Sequence, residues 1–433
     1  MMALKSVAPL ALLALFAFAP ACSDSVQVRA VSPYNTSLGM SGIRLRANEG
    51  EWVTTDQDGY AVFEGLSTPF DLDVEQAHDT TGRNPAFPDG YAVRFRDLWR
   101  LVAVDSSDYE VKVDEYPGLE DPTCVVTGHV DMTAGDEVVF DISHLGAGAG
   151  TWATTEPDFE ADLGTELHTD EVGVYAMAGD FPNTGGFPTR VTAAGRIDAQ
   201  IPGGKCGTLS NVDVPLSPVT TRALDLTYAA PAGFEVRRAG AAVRLRFDDH
   251  PEARLGVGAE YVEEAQATIS GLVVEGFGDP WASAWVVGPG RVVDGDAQSQ
   301  WPWDYFEVYG AFTEVDLRVP GSASSLTFEL PAPAELLAPE DGVSLVEDTV
   351  YRWSAVPGAT RYTLNFGCTP LGRPGGSVVA NVETSATELT LPAFVYAAIE
   401  PGMRCGWSVL VRDEAEGRES RTTSAGRWGI IPE

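Results

Sequence analysis

Lysine is nearly absent from this chain of 433 residues: Lys5, Lys112 and Lys205 are its only examples, and arginine supplies the rest of the 28 basic residues. Against them stand 63 acidic residues, which leaves a net charge of −35. A field of that sign repels nucleic acid, whose binding needs cations to neutralise phosphates, so no nucleic-acid partner is expected. It also keeps the molecule solvated. Histidine is scarce, at five, and no two of the five cysteines have C-x-x-C spacing, so zinc ligation and thiol redox chemistry are not expected. The G-x-S-x-G nucleophile elbow and the H-E-x-x-H metal helix are both missing. The chain is therefore read as non-enzymatic, with no catalytic residue, no cofactor and no metal site.

A single apolar run stands out, Leu10 to Cys22, reading LALLALFAFAPAC behind the lone basic residue Lys5. It is too short to span a bilayer as a stable helix and has the layout of a secretory signal. Ala19-Pro20-Ala21-Cys22 resembles the lipobox of bacterial lipoproteins. The resemblance implies a signal peptide over 1–21, cleavage before Cys22, a diacylglyceryl thioether on that thiol, and a membrane as partner. Each buried methylene is worth about 0.8 kcal/mol, and two or more acyl chains anchor stably. Ser23, following the cysteine, resembles the outer-membrane sorting choice of Gram-negative bacteria. That implies a lipid-anchored protein of the cell envelope, at the outer membrane or cell surface. An ordinary cleavable signal whose mature chain begins near a cysteine is the alternative.

Setting Cys22 aside leaves Cys124, Cys206, Cys368 and Cys405, an even number in an exported chain, which reads as disulfides. Four cysteines allow three pairings; grouping by domain favours Cys124–Cys206 and Cys368–Cys405.

Apolar and polar residues alternate throughout, as in Ile43-Arg44-Leu45-Arg46, Val243-Arg244-Leu245-Arg246-Phe247 and Tyr362-Thr363-Leu364-Asn365-Phe366. With 45 glycines and 29 prolines between such runs, the fold class is all-β, tandem β-sandwich domains of transthyretin-like or Ig-like kind. A few turns of helix are expected near Phe95 to Leu101 and Val262 to Gln266. The length calls for three to four domains, placed at 22–117, 118–220, 221–332 and 333–433.

The first domain carries Ser41-Gly42-Ile43-Arg44-Leu45 and then Thr55-Asp56-Gln57-Asp58-Gly59-Tyr60-Ala61-Val62-Phe63-Glu64-Gly65-Leu66. Physically this is a strand, a turn that needs Gly59 at positive φ, and a second strand. It resembles the carboxypeptidase regulatory-like (transthyretin-like, Cna-B-type) sandwich, which implies a structural and adhesive accessory module. Asp56 and Asp58 offer too few oxygens for calcium and are read as turn residues. Lys112 is the only lysine of the block, so no Lys–Asn isopeptide link is expected.

In the second block a zinc site could be assembled from His129, Asp131, His144, His168 and Asp170, but nothing in their spacing demands it. Its acidic segment Glu156 to Asp162 reads as a solvated loop. The third block holds an aromatic cluster, Trp281, Trp285, Trp301, Trp303, Tyr305, Phe306 and Tyr309, interleaved with Asp294, Asp296 and Asp304; of these Trp281, Trp285, Trp301, Trp303 and Tyr305 are the candidate ligand-binding residues. Rings beside carboxylates on a β-surface suit a glycan, while core packing is the commoner use of such rings. In the last block Tyr351-Arg352-Trp353, Pro357-Gly358-Ala359 and Tyr362 resemble a bacterial fibronectin type III-like domain. That resemblance implies a buried Trp on the second strand and an accessory role. The favoured reading is a non-catalytic envelope lipoprotein presenting binding modules to a glycan or surface protein, in an adhesive or envelope-organising role. The alternative is a carbohydrate-binding protein that uses the Trp-rich block.

Overall fold

The computed structural model of the protein describes residues 25–31, 39–84, 87–113, 125–132, 136–142, 152–162, 171–181, 187–201, 208–247, 250–295, 305–371, 377–415 and 417–432. Cys22, Cys124, Cys206, Trp301 and Trp303 lie outside these residues. The chain is all-β and builds sandwiches from several sheets, with one short helix, Ala393–Ala397, among the described residues.

In the first unit, strand Ser25–Val31 pairs antiparallel with Tyr60–Glu64 and parallel with Asp108–Lys112. Alternation turns Val26, Val28 and Ala30 inward against Leu45, Leu72 and Val74 of the opposing sheet. The turn between its sheets is made by Asp56, whose Oδ1 accepts from the N–H groups of Asp58 (3.0 Å) and Tyr60 (2.8 Å). Gly59 sits there at φ +83°, and a Cβ on it would fall 2.4 Å from the Ala30 carbonyl oxygen. No other residue fits.

The second unit packs the sheet around Glu171–Asp180 against Asp158–Asp162, Val125–Val130 and Thr208–Val214. Glu171–Asp180 is buried continuously from Val172 to Gly179, because both of its faces meet a core. Val174 and Ala176 face the unit's own sandwich. Tyr175 and Met177 face the third unit, with the Tyr175 ring 4.2 Å from that of Phe247. Residues 158–162 form a strand and not a loop, because Phe159 and Ala161 alternate into the core while Asp158 and Glu160 are exposed to solvent.

In the third unit, Thr220–Ala229, Gln266–Glu275 and Ser325–Glu329 cover the sheet of Arg238–Phe247 and Asp279–Val287. In the last unit, Tyr351 and Trp353 lie under Phe366, Trp407 and Val409. Strands Tyr362–Thr369 and Arg404–Ala415 place Cys368 directly opposite Cys405, with Cα atoms 4.0 Å apart, and the two form a disulfide.

The units do not merely follow one another. A 14-stranded sheet runs edge to edge from the third unit, through the last, into the first. Phe312–Arg318 of the third pairs antiparallel with Arg418–Thr423 of the last. On the far side of the last unit, Val378–Thr384 pairs parallel with Phe87–Val104 of the first. That pairing overturns the expected helix at Phe95 to Leu101. The segment is strand, flanked on both sides; Leu98 enters the core of the last unit, while Trp99 and Leu101 pack on that of the first. Two cores on opposite faces put apolar residues side by side, and that spacing imitates a helical stripe. Near Val262 to Gln266 the chain likewise makes no helix, but ends strand His250–Val262 and begins Gln266–Glu275.

Candidate functional site

The aromatic residues singled out in the third block divide. Trp281 and Trp285 both lie on the outward face of Asp279–Val287, opposite the core-facing Ala282, Ala284 and Val286. The Arg246 guanidinium stacks 3.8 Å from the Trp281 ring centroid, and Trp281 Nε1 donates to Asp279 at 3.1 Å. Trp285 is buried, edge-on to Tyr261 at 5.6 Å and lying over the bare backbone of Gly240. Both rings are thus engaged within the chain. Tyr305 belongs to a described strand, but its side chain is outside the description.

A third-block hairpin, Arg291–Gly295 with Tyr305–Val308, reaches across to the last unit and clasps it. Phe306 packs where a Cβ on Gly406 would stand 3.2 Å from its ring, and Val308 packs likewise over Gly426. Arg404 donates to Asp294 at 2.8 Å, Arg291 pairs with Asp341, and the Gly426 N–H donates to the Tyr309 carbonyl at 2.9 Å. Between the hairpin and the outward face of the last unit lies a groove of about 440 Å³. Phe306 and Tyr309 wall it, and Asn365, Gly367, Gly406 and Ser408 form its floor. The groove draws its walls, Phe306 and Tyr309, from the aromatic cluster of the third block, while nothing in the linear order announces its floor. Its residues come from four strands and become neighbours only through the strand register.

Several polar clusters among the described residues are occupied by partners within the chain. Where the first and last units meet, buried Asp73 accepts from Arg46 (2.6 Å) and Arg100 (2.6 Å), and buried Glu75 accepts from Arg44 (2.5 Å) and Arg96 (2.8 Å). The Arg46 guanidinium lies 4.7 Å from the Trp52 ring and 5.2 Å from that of Phe394. Where the third and last units meet, Arg246 bridges Asp316 (3.0 Å) and Glu419. A cavity of about 520 Å³ at one end of the third unit is lined by the pairs Arg222–Glu275 (3.0 Å) and Arg318–Asp279 (2.9 Å).

His129 takes up Asp158 as partner, Nδ1 to Oδ1 at 2.8 Å; that hydrogen bond holds the imidazole above its ordinary pKa, with the nearby Asp213 and Asp131 charges adding to it. His144, His168 and Asp170 lie outside the described residues. Among the described residues no three His, Cys, Asp or Glu side chains gather closely enough to hold a metal ion. No helix among them is long and apolar enough to cross a membrane.

No known family matches the chain, and no curated protein matches it either. Among solved structures, the TIE protein of Bacillus anthracis is similar at 11% identity, over 94% of this chain and 67% of that one, with a TM-score of 0.15. A streptococcal ancillary pilin is similar at 8% identity over 70% of this chain and 98% of its own, also with a TM-score of 0.15. The major pilin SpaA of Corynebacterium diphtheriae is similar at 10% identity, over 70% of this chain and 98% of its own, with a TM-score of 0.12. Scores this low describe no shared overall arrangement.

Proposed function

We propose that this chain is a non-catalytic protein of the cell envelope, tethered through lipid on Cys22, whose joined sandwiches hold a binding surface clear of the membrane for adhesion or envelope organisation. The observation that carries the reading is the 14-stranded sheet. Three units share one hydrogen-bonded ribbon, so their relative positions are set by backbone pairing and not by flexible linkers. A protein that must present a surface at a fixed distance gains from that stiffness. The signal-like run ending at Cys22 supports the exported, anchored half of the proposal. The carboxypeptidase regulatory-like and fibronectin type III-like resemblances of the two end units support the accessory, non-catalytic half.

The test has two arms. Metabolic labelling with an alkyne fatty acid should mark the wild-type protein and leave Cys22→Ser unmarked and released from the membrane fraction. A mature wild-type protein free of label sinks the anchoring claim. Deleting the gene should reduce attachment or envelope integrity, and the Cys22→Ser protein should fail to restore it; full rescue by an unanchored chain would sink the role.

A further inference from the structure

We propose that the groove between the clasping hairpin and the last unit binds a neutral oligosaccharide. Its floor and the face beside it carry one cross-strand row, Ser408–Asn365–Asn381, drawn from three adjacent strands in register. All three side chains are half-buried, and none has a hydrogen-bond partner among the described residues. Hydroxyl and amide groups held this way, partly stripped of water and unspent within the fold, gain most from a ligand that brings hydroxyls of its own. An amide both donates and accepts, as a sugar's vicinal hydroxyls require.

The neighbouring row pairs Gly367 with Gly406, which leaves that part of the floor without side chains and gives the concavity its depth. Phe306 stands against Gly406 as the inner wall. Tyr309 is 80% exposed at the mouth, its ring free to lie on the apolar face of a sugar. The groove volume of about 440 Å³ falls within the roughly 300–1,000 Å³ of small-ligand sites.

Charge decides which glycan. Among the described residues that line the groove Glu307 is the single charged one, and the chain as a whole carries −35. Uronic-acid and sulfated sugars would be repelled, so the ligand is neutral. An extended peptide fits less well, since strand addition takes its specificity from pockets for alternate side chains and the glycine floor supplies none. The site draws on two units and exists only while the hairpin is seated. It requires nothing of the anchor on Cys22.

The experiment uses the full chain on an array of neutral and anionic glycans, followed by calorimetric titration with cellotetraose, mannotetraose and chitotetraose. At least one neutral glycan should bind. Tyr309→Ala and Asn365→Ala should each weaken it tenfold or more with unchanged thermal melts, and Arg352→Ala, on the opposite sheet of the same unit, should leave it unaltered. Asn365→Asp, which adds a charge without removing bulk, should weaken it as much. No binding by any neutral glycan, a preference for anionic ones, binding that survives both alanine variants, or displacement by extended peptides would each overturn the proposal. Failure here leaves the fatty-acid labelling result untouched, so the two ideas fall separately.

Discussion

The last unit is joined to a neighbour on each side, and the two joints are built differently. Toward the third unit, six residue pairs run antiparallel from Phe312↔Thr423 to Leu317↔Arg418, and a separate hairpin then closes over the seam. Toward the first unit, five pairs run parallel from Val378↔Arg96 to Val382↔Arg100, reinforced by stacked arginines and the edge-on Trp52–Phe394 contact at 5.5 Å. Parallel pairing is slightly weaker per residue. The second joint also relies on the half-exposed rings of Trp52 and Phe394, which are only partly withdrawn from water. One joint is closed by a second, clasping element and the other is not, so the first unit should part from the rest before the third does.

Four measurements would break or sharpen that contrast. The largest effect is expected from Phe306→Ala, which empties the clasp over Gly406 and should cost about 3–5 kcal/mol by denaturant melting. Hydrogen exchange should then quicken along Phe312–Arg318; unchanged protection there would mean that the hairpin is not what closes the joint. Next, replacing both Cys368 and Cys405 by alanine removes a link across 37 residues, worth roughly 3–4 kcal/mol on the chain-entropy account. The link lies in the strands central to both joints, so exchange at both should rise together. A rise at one alone would place it in service of that joint.

Phe394→Ala should cost about 1–2 kcal/mol, with its loss confined to amides around Arg96 to Arg100. If the third-unit joint loosens as well, the two are coupled and the contrast fails. The smallest effect is a pH response. Burial pushes the Tyr228 hydroxyl up to about 12 in the third unit. Folding therefore holds that proton more tightly than the unfolded chain does. The stability it contributes is full below about 10, the ordinary tyrosine value, and is lost as pH climbs to about 12. Melting followed through the last unit's Trp353 and Trp407 should show the same loss if the clasp makes the two units melt as one, and Tyr228→Phe should flatten it.

Local chemistry was legible in the order of residues. The alternating runs and the Asp56–Gly59 turn follow from neighbours a few positions apart, while the buried Trp353 is expected from the resemblance of its segment to a fibronectin type III-like domain. What escaped was set by distant partners. Leu98 and Trp99 look like a helical pair until both faces of their strand are seen to meet cores from opposite ends of the chain. Val172 to Gly179 shows no alternation, for the same reason. Phe159 and Ala161 were hidden by the acids around them. The groove's aromatic walls, Phe306 and Tyr309, stand out in the sequence, but its polar row does not, since Asn365, Asn381 and Ser408 are ordinary strand residues whose shared row depends on a register no local pattern encodes.

Because the first and last units touch directly, the polypeptide path between them, through everything from Val113 to Leu336, is a detour that the sheet short-circuits. A protease that severs the chain once between Val113 and Val125 would leave a particle still whole, its halves laced by main-chain bonds, as native gel filtration of the nicked protein would reveal. One broken peptide link would then shed nothing.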